Sequence, residues 1–463
     1  MEIEKLKINH YRGLDDVYIA FLNPKNNYFG NLKFSVLVGE NGTGKTTILR
    51  ALTKIFCPNR NVDSREHRET IDFKIRYKIN NQTFNYGNNQ PYPYIYPSKV
   101  IVSSFAVFDP YMPMLSYRSN KKEGTANEQE TNFVYCGPKD SFVDTNKILI
   151  RSFIDSITYL SKDYRNSRAF AKLMERLSIT NILYLEFSKD VKRYVDSPNM
   201  AKRDSRKSHE EKEREKDKYQ MAREDYLLAK KYGIPKNAGL NLRNDRFLIE
   251  VTTFKESLGK LQSLYELQNE MDMNTFIQDI WFEKDGKLVS LSDLSSGEVT
   301  MLFRFLPLLR EVDDNSIILI DEPETHMHPI WTQKFISYLV DIFQDFHAHF
   351  ILATHSPLII TDLPIECIIG LEKNRGRVQQ YSLYENTLGG NPSDLLKEVF
   401  ELKSLQGGFT VEILKEVINL LESGEARKIE KARQIYNDLS ITPEKHNLFM
   451  TYRKYLEEKN VEN

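Results

Sequence analysis

The stretch Gly39-Glu40-Asn41-Gly42-Thr43-Gly44-Lys45-Thr46-Thr47 has the residue types and spacing to wrap a run of phosphates. It fits G-x-x-x-x-G-K-[ST], the P-loop pattern. Glycines let successive backbone N–H groups turn toward an anion with no Cβ in the way. Lys45 is placed to reach the β- and γ-phosphates of a nucleoside triphosphate, and the Thr46 hydroxyl to ligate Mg2+. Asn41, Gly42, Thr43, Gly44 and Thr47 make up the rest of the cradle.

Three further groups of residues could complete such a site. Ile317-Ile318-Leu319-Ile320 is a continuous apolar run ending in Asp321-Glu322. An aspartate at the end of such a strand can hold Mg2+ beside a P-loop. The neighbouring Glu322 can orient or deprotonate an attacking water. Leu294-Ser295-Ser296-Gly297-Glu298 has the S-x-x-E spacing of a capping box before a helical pattern, Val299, Leu302, Leu306 and Leu309. That is either a well-capped helix or a second anion site built on free N–H groups and serine hydroxyls. Pro307 predicts a kink in this helix or its early end. Phe350-Ile351-Leu352-Ala353-Thr354 is a second buried-type strand and ends at His355, placed for a polar contact to the γ-phosphate or the attacking water. His326 with His328, and His347 with His349, are histidine pairs lacking a third partner, so metal binding is not expected there.

The elements needed to position these groups are visible around them. Phe34-Ser35-Val36-Leu37-Val38 reads as a strand entering the glycine loop, and Thr46 to Leu52 as a helix leaving it. The 463 residues are enough for more than one domain. Hydrophobic residues at 40% and charged residues at 28% describe a globular chain. The net charge of −1 gives no global attraction to nucleic acid or membrane. No apolar run is long enough to span a bilayer, and the amino-terminal residues lack a signal-peptide core. Cys57, Cys136 and Cys367 suggest neither a disulfide framework nor a zinc site, so a reducing cytoplasmic location is expected.

In this order, the four groups resemble the ABC-type ATPases, and more narrowly the branch containing SMC proteins, RecF and the OLD-type nucleases. The resemblance implies an α/β P-loop ATPase head that uses ATP and Mg2+. In that branch Leu-Ser-x-Gly-x is the signature motif, which binds the γ-phosphate of ATP held by a partner subunit. Carried over, Ser295 and Gly297 would act in trans on a nucleotide held by another copy's P-loop, with Ser296 and Glu298 as further nucleotide-binding positions of the motif. His355 falls where the branch has its switch histidine. Arg12, in Asn9-His10-Tyr11-Arg12-Gly13-Leu14, matches an arginine that commonly sits near the nucleotide. The expected Q-loop glutamine has no counterpart after Val100-Ile101-Val102, where Ser103 and Ser104 stand instead.

The head is thus expected to be split, over 1–57 and 285–395. Between its halves, 58–150 reads as an inserted β-rich lobe and 151–284 as an inserted helical, short coiled-coil-like arm. The mixed charges of Lys202 to Lys231 suit an exposed helix. Asn85 to Pro97 suggests an exposed loop, with an aromatic nucleic-acid platform as the sharper alternative. Residues 396–463 read as a C-terminal helical region, and 358–463 contain no Asp-x-Asp and no His-Asn-His-type cluster. The Asp321 to Pro329 run resembles stand-alone ATPases of anti-phage systems such as Septu and PARIS. That resemblance implies a homo-oligomeric regulatory ATPase with ATP at its interfaces, acting with a separate HNH or Toprim nuclease and with DNA as a further candidate partner. The alternatives it leaves are a RecF-like clamp on DNA and an ATP-locked scaffold that hydrolyses little.

Overall fold

The computed structural model describes residues 1–57, 70–88, 90, 95–105, 111, 132–137, 149–150, 152–154, 156, 164–180, 183–187, 217, 220, 248–250, 277–400, 407–423, 425–440, 445–450 and 453. They fall into two compact units, Met1–Leu395 and Leu396–Asn463.

The chain opens with a hairpin of β1 (Glu2–Tyr11) and β2 (Leu14–Ala20), whose Ile3, Leu6, Ile8, Val17 and Ile19 point inward. Arg12 and Gly13 at its turn have φ of 48° and 82°. Positive φ at both positions matches a tight turn to the twist of the strands. β3 (Lys33–Val38) is buried throughout and feeds the glycine loop, after which α1 (Lys45–Phe56) begins. β4 (Asp72–Ile79) buries every second residue, as its period of two predicts. It is followed by β5 (Gln82–Gly87), β6 (Val100–Ser104) and β7 (Phe133–Tyr135). Next come α2 (Tyr164–Arg176), β8 (Leu183–Phe187), β9 (Leu248–Glu250), β10 (Ile277–Lys284) and β11 (Lys287–Ser290). The rest of the first unit is α3 (Ser296–Glu311), β12 (Ile317–Asp321), α4 (Pro329–Phe343), β13 (His349–Ala353), the short α5 (Pro357–Ile360), β14 (Ile368–Asn374) and β15 (Arg377–Tyr381), and α6 (Pro392–Glu398) begins in this unit and runs past its last residue, Leu395.

A seven-stranded sheet in the order β15-β14-β3-β13-β12-β6-β7 carries the site. From β14 to β7 its strands are parallel. Strands covered on both faces read as unbroken apolar runs, which is why Ile317–Ile320 and Phe350–Leu352 show no alternation. One face joins α1 and the β1–β4 sheet in a continuous core that includes Leu49, Leu52, Ile75, Leu319 and Ile351. The other face packs against α3 and α4, with Phe343 meeting Phe350 at 5.7 Å and Phe305 meeting Phe335 at 5.7 Å between ring centroids. Register puts Ser104, Asp321, Ala353, Leu37 and Ile369 level across five strands. The loops that follow β3, β12 and β13 therefore leave from one carboxyl edge, where open parallel sheets bind ligands.

Of the described residues within 58–150, β4 and β5 extend the amino-terminal sheet as β2-β1-β4-β5, and β6 and β7 belong to the central sheet. The period of two is the same in either setting, so it could not say which neighbour a strand would pair with. Within 151–284 the described residues include strands as well as the helix α2, and β11-β10-β8-β9 form a third sheet. Asn85 to Gly87 are the end of β5 and not loop. The charged stretch 202–231 lies outside the described residues apart from positions 217 and 220. α3 runs through Pro307 to Glu311, because burial of Phe305, Leu306, Leu308 and Leu309 outweighs one lost backbone hydrogen bond. In the second unit, α7 (Gly408–Glu422) and α8 (Ala426–Asp438) bury Val417, Leu421, Ala432 and Leu448.

His349 joins the first two sheets. Its Nδ1 accepts the Ile3 N–H at 3.1 Å, and its Nε2 lies 2.9 Å from Ser35 Oγ. The Lys33 ammonium donates to the Ile3 and Phe21 carbonyls at 2.8 and 2.9 Å. Among the described residues no helix is long and apolar enough to cross a membrane.

Candidate active site

The glycine loop takes the backbone its residues allow. Gly39, Gly42 and Gly44 have φ of 148°, 81° and 85°. At Gly39 a Cβ would stand 2.1 Å from the Leu371 carbonyl oxygen, and at Gly44 2.7 Å from Leu14 Cδ2. The P-loop is thus gripped between β14 and the start of β2. Thr43 Oγ1 donates to the Glu40 carbonyl at 2.9 Å and secures the turn, while Asn41 and Gly42 are exposed. Gly44 caps α1 without a side-chain bond, so the first N–H groups of that helix face the loop's hollow. Thr47 lies in the first turn.

The buried Lys45 ammonium folds back onto the Gly39 and Glu40 carbonyls at 2.8 and 3.0 Å. Burial pushes its pKa down to about 8, against the opposing charges of Asp321, Glu324 and Glu322. Thr46 Oγ1 donates to Asp321 Oδ1 at 3.1 Å. The two expected Mg2+ ligands are therefore already neighbours. A third oxygen stands level with them: Ser104 Oγ, on β6 opposite Asp321, is buried with no hydrogen-bond partner among the described residues. A hydroxyl left in that state calls for a polar ligand. The donor set of two hydroxyls and a carboxylate fits the hard, oxygen-preferring Mg2+.

Glu322 has φ of 50°, a conformation that costs a non-glycine residue about 1–3 kcal/mol. Its N–H donates to the Ala353 carbonyl at 2.9 Å, and its carboxylate accepts the Thr325 hydroxyl at 3.1 Å. β13, which ends toward His355, lies between β12 and β3. Burial and then the Lys45 charge lower the His355 pKa, partly opposed by Glu322. The imidazole is therefore neutral at pH 7 and lies in the electrostatic field of both residues.

Ser295 caps α3 in a complete capping box. Its Oγ accepts the Glu298 N–H at 3.4 Å, and its own N–H donates to Glu298 Oε2 at 2.9 Å. Burial pushes the Glu298 pKa up, but Lys284 and Ser295 together outweigh it and leave it lowered. A Cβ on Gly297 would stand 2.1 Å from Trp331 Nε1, so the glycine is needed for indole packing. Ser295 and Ser296 are exposed, whereas Lys45 and Asp321 are buried. Arg12 is exposed at the hairpin turn, its guanidinium 5.9 Å from the centre of the Tyr11 ring. The hairpin residue shown against the P-loop is Leu14.

Of the histidine pairs, His328 caps α4 by accepting the Ile330 N–H, and His349 belongs to the sheet junction. Among the described residues no three His, Cys, Asp or Glu side chains are grouped to hold a metal ion. Sequence reading gave Glu324 and Thr354 no role. Glu324 accepts the His355 N–H at 2.6 Å and the Thr354 hydroxyl at 2.8 Å. The only signal was a second acid two residues after Glu322.

A family model described as an AAA ATPase domain matches residues 1–360. The chain belongs to this ATPase domain family. Among the relatives of this AAA ATPase domain protein is protein ea59 of Escherichia phage lambda, 30% identical over 155 residues, or 33% of this chain and 30% of that one. The Retron Vc95 probable ATPase of Vibrio cholerae is 27% identical over 247 residues, covering 43% of this chain and 48% of the relative. The Septu protein PtuA of Bacillus mycoides is 26% identical over 131 residues, covering 27% and 18%. The chain thus spans less than half the length of these curated relatives. An SMC head domain from Thermotoga maritima is similar at 12% identity and a TM-score of 0.34, over 83% of this chain and 100% of that structure. The relatives agree with the resemblance drawn from the motifs, and the mixed α/β head expected from the sequence is present.

Proposed function

We propose that the protein is an ATP-binding and ATP-hydrolysing regulatory subunit of a bacterial anti-phage defence complex. The observation that carries the ATPase reading is the meeting of Lys45 and Thr46 with Asp321 and Glu322 at one sheet edge, with His355 just past the end of the strand between. Lys45 would leave its two carbonyls for the β- and γ-phosphate oxygens. Thr46 and Asp321, with Ser104 beside them, would hold Mg2+, which neutralises phosphate charge when bound. Glu322 would take the proton of the attacking water, held in place by the Thr325 hydroxyl and the Ala353 carbonyl. His355 would donate a hydrogen bond to the γ-phosphate or that water.

The composite site is part of the same reading. The exposed Ser295 and Ser296 and the half-buried Gly297 form a helix N-terminus that suits a γ-phosphate on a second copy's P-loop. Nucleotide binding would then close an interface between copies, and hydrolysis would open it. The defence role rests on the retron and Septu relatives, and the separate nuclease effector of HNH or Toprim type on the resemblance carried by the Asp321 to Pro329 run. The test is phosphate release and ATP-dependent assembly of the wild type beside Lys45→Ala. The variant is expected to lose ATP binding, assembly and release together; undiminished nucleotide affinity would overturn the P-loop assignment. Mass measurement of the natively copurified complex tests for the effector.

A further inference from the structure

Two strands of the sheet end next to each other with a carboxylate tied across them. Glu324 lies three residues past the end of β12. Its Oε1 accepts the His355 backbone N–H at 2.6 Å, and its Oε2 accepts the Thr354 hydroxyl at 2.8 Å. The same threonine oxygen accepts the Ser356 N–H at 2.9 Å. One side chain of the β12 loop thereby fixes three consecutive residues past β13. We infer that Glu324 is the positioning residue for His355, setting where its imidazole stands relative to Lys45 and Glu322.

The chemistry of the clamp selects glutamate. Both groups aimed at it are donors, and an ionised carboxylate is the side chain that only accepts. A glutamine could serve one donor with its oxygen but would turn an NH2 toward the other. An aspartate is one methylene shorter. Burial, with the Glu322 charge, pushes the Glu324 pKa up against the hydrogen bonds it accepts, and Glu324 in turn acts on the charges of Lys45 and of the buried Arg304 guanidinium on α3. Arg304 stacks 3.6 Å from the centre of the Phe105 ring and donates from Nη2 to the Thr325 carbonyl. Arg304 Nε and Nη1 have no hydrogen-bond partner among the described residues. The helix headed by Ser295 therefore touches the loop that holds Glu322 and Glu324.

This inference rests on the ATPase reading for its consequence but not for its geometry, so two measurements separate them. The first needs no nucleotide: amide hydrogen exchange of the free protein. Glu324→Ala should raise exchange at His355 and Ser356 by about tenfold or more, with Phe350 to Leu352 unchanged. Glu324→Gln, the variant less prone to misfold, should give a smaller rise. The second is a double-mutant cycle on phosphate release. Glu324→Ala should lower kcat by about 10–100-fold, with affinity for a fluorescent ATP analogue within about twofold. In a His355→Ala background the same change should cost less than about twofold more. Unchanged exchange at His355 in both variants, or losses that simply multiply, would overturn the tether. Raised exchange in a protein that releases no phosphate even as wild type would sink the hydrolysis reading and support the tether.

Discussion

Thr46 Oγ1 donates to Asp321 Oδ1 at 3.1 Å, joining residues 275 positions apart in the chain. The first residue past the P-loop lysine and the last residue of β12 are thereby set as a pair. Nothing local forces this meeting. It follows from β13 lying between β3 and β12, so that both loops leave the same edge.

That pair should govern metal-dependent binding. Thr46→Val keeps the shape and removes the oxygen. ATP affinity measured with Mg2+ should fall about tenfold or more, to the level of the wild type in chelator. Titration of a fluorescent ATP analogue with and without Mg2+ checks it. A variant whose affinity still responds fully to Mg2+ would show that the metal is held elsewhere.

Glu322 is held in a strained backbone conformation, with its carboxylate hydrogen-bonded to Thr325. Glu322→Gln should bind ATP like the wild type and lose turnover by about 10²–10⁴-fold, the usual range for a lost general base. It should also accumulate in the ATP-bound assembly, read by sedimentation. Normal turnover would send the search for a base to another residue.

Binding should depend on pH with a sign set by Lys45. Burial pushes its pKa in the free protein down to about 8, and phosphate charge raises it again on binding. Below about pH 8 the free ammonium is already charged; above it, binding must take up a proton. Affinity should be level below about pH 8 and weaken by up to about tenfold per unit above it. Titrations between about pH 7.5 and 9.5 test this, and a flat profile would show that Lys45 is not perturbed.

Gly297 meets Trp331, one of the two tryptophans of the chain. Gly297→Ala places a methyl group against the indole and should cost about 1–3 kcal/mol of stability by overpacking. Its emission spectrum should shift, and ATP-driven assembly should fail while single copies still bind nucleotide. Assembly at wild-type ATP concentrations would remove Gly297 from the interface.

The amino-acid sequence by itself determined the parts whose chemistry is local. The glycine loop was legible because only glycine accepts its φ values without strain and only a short spacing delivers Lys45 and Thr46 together. The Ser295–Glu298 cap was legible because both its hydrogen bonds close within one turn. The apolar runs before Asp321-Glu322 and His355 were legible as buried strands. The tertiary structure decided who neighbours whom. A parallel strand pairs with partners reached through long crossovers, and an unbroken apolar run carries no mark of which partner that will be. The order β3-β13-β12, the return of β4 and β5 to β1, and the passage of α3 through Pro307 were therefore closed to sequence reading. So was Glu324, an acid in a loop until β12 and β13 lie side by side and turn its two oxygens toward Thr354 and His355.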